Sequence, residues 1–111
     1  MNTRKFSSRQ EKSIAKKFGG KQVSNSGATS FDKGDVSLEN FLIEAKTCVN
    51  EKDSFAIKKD WLEKINKERF SKRKRFCALA FQFGPNQENY FILDERTFKI
   101  FIDLLGEQNE K

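Results

Sequence analysis

Between Asp35 and Lys46 apolar and polar side chains alternate with a period of two, and the rest of the chain can be read outward from that stretch. Phe41, Ile43 and Ala45 point one way, while Leu42, Glu44 and Lys46 point the other. Val36 and Leu38 give the preceding segment its own apolar face, with Asp35 and Ser37 opposite. Glu39-Asn40 is expected to form a two-residue turn, since Asn tolerates the positive φ of hairpin turns. That register pairs Leu38 with Phe41, Ser37 with Leu42, Val36 with Ile43 and Asp35 with Glu44. The apolar sets then share one face, and Asp35, Glu44 and Lys46 share the other.

Upstream, Glu11, Ile14, Ala15 and Phe18 follow i, i+3, i+4, i+7, which predicts a helix over residues 6–18. Ser7 or Ser8 would cap it and Gly19-Gly20 would end it. Glu11 then lies in line with the apolar stripe, either as an edge residue reaching solvent or as a buried, partnered acid. Residues 21–34 read as a short strand and a loop. Ser26, Gly27 and Thr29 make that loop small and rich in donors, suited to a phosphate backbone or to a plain surface connection.

Downstream, Ser54 or Asp60 would cap a second helix carrying Trp61, Leu62, Ile65 and Arg69. Lys58 and Lys59 stand at its start, where the helix dipole disfavours cations, a placement that bound anions would explain. The helix runs out into Lys72-Arg73-Lys74-Arg75, readable either as a DNA contact or as a solvated helix end. Residues 76–83 form the most apolar run and predict a central strand, with Gln82 on the face of Ala78 and Ala80. Gly84-Pro85-Asn86-Gln87 turns the chain into a strand over 90–93. Asp94 would cap a last helix with a buried stripe of Phe98, Phe101, Ile102 and Leu105, stopped by Gly106. The order α-β-β-β-α-β-β-α describes an α/β sheet flanked by helices. It forms one domain over residues 1–111, frayed at 1–5 and 107–111.

Composition narrows the chemistry. Twelve Phe in 111 residues supply most of the bulk for one core. Lys and Arg outnumber Asp and Glu by 22 to 16, a net charge of +6, which favours an anionic partner such as nucleic acid. No apolar run approaches the ~20 residues that cross a bilayer, and the polar start has no signal-peptide core. Cys48 and Cys77 are isolated, so a reduced, cytoplasmic protein is expected. The chain has no His. Ser-His and Cys-His nucleophiles and His-containing zinc sites are therefore excluded, and any catalysis must come from carboxylates, lysines and a metal.

Directly opposed side chains in an antiparallel pair have Cβ atoms about 5 Å apart, and like charges so placed are destabilising. A pattern that breaks a local rule without structural gain marks a candidate functional site. Two carboxylates at that separation, with an ammonium two residues along, suit a hard divalent cation such as Mg²⁺ beside a phosphate. The same residues also suit the plain polar face of a hairpin.

Taken together, Glu11 in the first helix, Ser26-Gly27 in the loop, Asp35 and Glu44-Ala45-Lys46 resemble the PD-(D/E)xK nuclease superfamily. Within it the likeness is to small Holliday-junction-resolvase-type endonucleases of archaea and phages, and it spans residues 9–93. Two positions depart from that pattern. Gly34 stands where Pro usually precedes the metal-binding Asp, and Lys12 stands where an Arg often follows the first-helix acid. Lys does not reproduce a bidentate Arg–phosphate contact, so the second departure weakens the junction assignment more than the nuclease one.

The resemblance implies a restriction-endonuclease-like core with a central mixed sheet of about five strands. It implies that Asp35, Glu44 and the Ala45 carbonyl hold Mg²⁺ or Mn²⁺, with Glu11 reaching the same site, and that Lys46 positions or deprotonates the attacking water. DNA contacts would come from Ser26, Gly27, Thr29, Lys58, Lys59, Lys72, Arg73, Lys74, Arg75 and Gln82. The implied activity is that of a homodimeric DNA endonuclease on branched DNA, leaving a 5′-phosphate and a 3′-hydroxyl, in the cytoplasm of a cell or of a phage's host. The alternatives are a nuclease for flaps or duplex ends, and an inactive DNA-binding protein on the same fold. A basic RNA-binding domain finds less support, because no aromatic pair falls on an evident polar sheet face to stack bases.

Overall fold

The computed structural model describes residues 3–23 and 35–109, and places among them α1 (Thr3–Phe18), β1 (Lys21–Val23), β2 (Asp35–Ser37), β3 (Phe41–Lys46), α2 (Lys59–Ser71), β4 (Phe76–Phe81), β5 (Tyr90–Ile92) and α3 (Glu95–Asn109). The order is the one the pattern predicts. The strands form one mixed sheet in the order β1-β2-β3-β4-β5, in which only β3 and β4 run parallel. A parallel pair needs a crossover, and α2 supplies it.

The hairpin has the expected register, Asp35 opposite Glu44, Val36 opposite Ile43 and Ser37 opposite Leu42. The Leu38 N–H donates to the Phe41 carbonyl at 2.9 Å. The turn differs in one respect: Asn40 does not adopt a positive φ. The Leu38 carbonyl instead accepts from the Lys74 ammonium at 2.5 Å, and the Asn40 carbonyl accepts from the Phe76 N–H. The turn is closed by that Leu38–Phe41 bond and braced by these neighbours.

Period-two alternation gives the sheet two distinct faces. On one, Ile14 of α1 is buried against Val36, Ile43, Ala45, Ala78 and Ala80, and the small side chains let the helix come close. On the other lies α2, whose Ile65 is buried as are Leu42 and Leu79 of the strands it crosses. Helix α1 ends at Gly19, which has φ +72, and the Gly20 N–H returns to the Ala15 carbonyl at 2.8 Å in a Schellman-type close. A side chain at Gly20 would meet the Ser37 carbonyl at 2.7 Å, so the helix can enter the sheet edge only on glycine.

Helix α1 begins at Thr3 rather than near Phe6, so Ser7 and Ser8 lie inside it and neither caps its start. Three further expectations are corrected at helix ends and faces. Neither Ser54 nor Asp60 caps α2; Lys58 occupies the cap position with no side-chain bond. Gly106 does not stop α3, which continues to Asn109. The third concerns burial: Phe98, Ile102 and Leu105 are 58%, 49% and 56% exposed. The side of α3 that faces inward carries Thr97, buried, and Phe101, whose ring lies 6.0 Å from those of Phe41 and Phe76. The sheet face beneath is already occupied by α1, so α3 reaches only its end and leaves the apolar stripe outside.

Candidate metal centre

Asp35 and Glu44 face one another across β2 and β3 on the α2 side of the sheet, and both are buried. α2 brings a third acid to them. Oxygens of Asp35, Glu44 and Glu68 all lie within 4.8 Å of one another. Glu68 is in the last turn of α2, where the negative end of the helix dipole disfavours an acid. Three carboxylates and a dipole end of the same sign therefore converge on a largely dry site.

Lys46 is the cation that the strand itself adds. Its Nζ lies 3.0 Å from Glu44 Oε2 and 4.3 Å from the centre of the Trp61 ring. The ammonium is thus held between a carboxylate and an aromatic face, an arrangement that fixes a flexible side chain. Glu44 is 1% exposed, and neither of its oxygens has a hydrogen-bond partner; the ion pair has contact distance without hydrogen-bond direction. The Lys46 ammonium meets Oε2, whereas a buried carboxylate oxygen with no partner, as Oε1 is, costs on the order of 1–3 kcal/mol.

A divalent cation fits what is there. The donors are all carboxylate oxygens, the set that Mg²⁺ and Mn²⁺ take. Octahedral Mg²⁺ with bonds near 2.1 Å needs ligand oxygens from about 3.0 to about 4.2 Å apart. The three carboxylates, within 4.8 Å of one another, are close enough to share one ion. Cys77 is no rival nucleophile. Burial pushes its thiol up, only partly offset by Arg69, so it stays protonated at neutral pH.

The remaining candidates are distributed as follows. Glu11 is buried under α1, where its Oε1 accepts from Gln22 Nε2 at 3.2 Å. Gln22 pairs with Val36, so this contact belongs to the core face of the sheet, opposite the acidic cluster. Ala45 is buried in that same core. Lys58, Lys59, Lys72, Arg73 and Arg75 are exposed at the two ends of α2, and Arg73 takes φ +59 as the left-handed residue that closes the helix. Lys74 is engaged with the hairpin turn. Gln82, expected at a DNA surface, is buried: its Oε1 accepts from Thr47 and its Nε2 donates to the Gln87 carbonyl. Ser26, Gly27 and Thr29 lie outside the described residues.

Two residues of the site, Glu68 and Trp61, are not evident from the sequence. Glu68 carried one signal, an acid in the wrong turn of a helix. Trp61 carried none, because its contact with Lys46 joins elements 15 positions apart. No helix among the described residues is long and apolar enough to cross a membrane. Compared with protein-family models, with curated proteins and with solved structures, the chain matches none of them.

Proposed function

We propose that this chain is a Mg²⁺-dependent endodeoxyribonuclease that hydrolyses phosphodiester bonds in branched DNA, as Holliday junction resolvases do, during recombination, repair or phage replication. The observation that carries the reading is Glu44, buried with Oε1 unpartnered and Oε2 paired to Lys46, and set against Asp35 and Glu68. Asp35, Glu44 and Glu68 would hold the cation, with Mn²⁺ able to replace Mg²⁺. Bound there, it would neutralise phosphate charge and lower the pKa of a water. Lys46 offsets charge on the phosphate as water adds its hydroxyl to phosphorus and its hydrogen to the departing 3′ oxygen. Trp61 keeps that ammonium in place. The products are a 5′-phosphate and a 3′-hydroxyl.

The exposed bases at both ends of α2 supply the charge that a DNA backbone needs. Paired nicks across a junction need two such sites, hence a homodimer, working in the cytoplasm of a cell or of a phage's host. An inactive DNA-binding protein would keep the basic ends of α2 but has no use for two opposed buried acids.

The test is a cleavage panel of four-way junction, flap, duplex and single strand in Mg²⁺, Ca²⁺ and EDTA. The junction should be cut in Mg²⁺ alone. Asp35→Asn and Lys46→Ala should each slow cutting by at least about a hundredfold while DNA binding persists. A wild-type protein that binds the panel and cuts none of it would leave only the binding-protein reading.

A further inference from the structure

Five aromatic rings run away from Lys46 on the α2 side of the sheet. Phe81 is opposite Lys46 in the β3–β4 register, and Tyr90 is opposite Phe81 in the next pair, so all three share one face. Trp61 touches the Lys46 ammonium and lies 6.4 Å from Phe55; Phe55 lies 5.2 Å from Phe81, and Phe81 is stacked on Tyr90 at 5.7 Å. Phe83 contacts both Phe81 and Tyr90. Tyr90, at the outer end, is 48% exposed. Two cations stand at its inner end: beside the Lys46 ammonium, Lys58 Nζ lies 5.7 Å from the Trp61 ring. Simple closure of a core would not require a half-exposed tyrosine at one end or two lysines set on the Trp61 ring at the other. An aromatic track with lysines beside it is the arrangement that holds unpaired nucleotides, whose bases stack while the phosphates meet the cations.

We infer that this row binds an unpaired stretch of DNA strand next to the phosphate held at Lys46. The inference rests on the proposed nuclease reading for the position of that phosphate, and it adds a substrate class: DNA with unpaired nucleotides beside the cut rather than continuous duplex. A base stack opened at a branch or flap fits the track, whereas paired bases keep their faces within the duplex.

The test is fluorescence anisotropy with the full chain in EDTA, using labelled oligothymidylate, a blunt duplex and oligouridylate of equal length. Oligothymidylate should bind more tightly than duplex. Tyr90→Ala should weaken it by roughly tenfold and leave duplex binding unchanged, while Tyr90→Phe, which keeps the ring, should bind as the parent does. Phe83→Leu, which keeps apolar bulk, should also weaken the single strand. Quenching of Trp61 fluorescence by oligothymidylate would support stacking at the inner end. Equal losses on single strand and duplex, no loss on either, or tighter binding of oligouridylate than of oligothymidylate would each overturn the assignment. The two readings fail separately. Duplex cleavage without single-strand preference sinks the track alone, and single-strand preference without cleavage of any DNA sinks the nuclease alone.

Discussion

Glu44 and Asp35 are opposed on a sheet face where like charges cost stability, and α2 adds Glu68 to the same spot. Such a cluster should be strained without a counter-ion and relieved with one. Glu68→Gln therefore has a two-sided signature. In EDTA the variant should melt at or above the parent's temperature, because one repelling charge is gone. In Mg²⁺ or Mn²⁺ it should lose most of the stabilisation the parent gains. At a hundred times Kd that gain is about 2.7 kcal/mol, worth on the order of 10 °C in a chain of this size. The variant's metal affinity, read by calorimetry, should fall by roughly 10- to 100-fold. Glu11→Gln keeps its contact with Gln22 within reach and lies on the other face, so it should leave metal affinity near the parent's. A metal affinity that drops with Glu11→Gln and not with Glu68→Gln would transfer the third ligand to α1.

Which of these features the sequence could show depends on how far apart the contributing segments are. Helix α3 begins as its first residues dictate: Asp94 Oδ1 accepts the Thr97 N–H at 2.8 Å. The bond from the Thr97 hydroxyl, and after it the backbone bond, hold the Asp94 carboxyl below its usual range, against a desolvation cost that acts the other way. A carboxylate so lowered contributes stability that is whole above its unfolded pKa and lost as pH falls through the folded value. Asp94→Ala should thus cost about 1 kcal/mol at neutral pH, and its melting curve should converge with the parent's in strong acid. A constant gap at all pH would mean the cap acts without its charge. The cap was legible because it is local, and the β2–β3 register was legible because a slip by one residue would turn Val36 and Ile43 to the wrong face. Periodicity in α3 marked a coherent apolar face but could not say whether another element covers it. Glu68, Trp61 and the row from Phe55 to Tyr90 were illegible for a related reason. Each contact joins separate segments whose mutual phase is fixed only when α2 packs on the sheet.

At the scale of the molecule, α3 is the element whose packing is unfinished. Phe98, Ile102 and Leu105 stand at spacings of four and three on one side of the helix, all about half exposed or more. Glu95, three residues before Phe98, is the charge nearest that side; Arg96, Lys99, Asp103 and Glu107 fall on other sides, and Lys99 is paired with Asp103 at 2.9 Å. A second copy packed antiparallel, about a two-fold axis near residues 101 and 102, would set Phe98 against its Leu105. Helix dipoles would oppose as well. A homodimer built on that stripe would have an isologous interface, of the kind that most oligomers use. Ile102→Lys places a cation at the centre of the stripe on an exposed position, so it should leave the monomer fold intact by circular dichroism while abolishing the dimer in sedimentation velocity. A parent chain that sediments as a monomer at high concentration would remove the dimer, and with it the expectation that a junction is cut by two sites acting together.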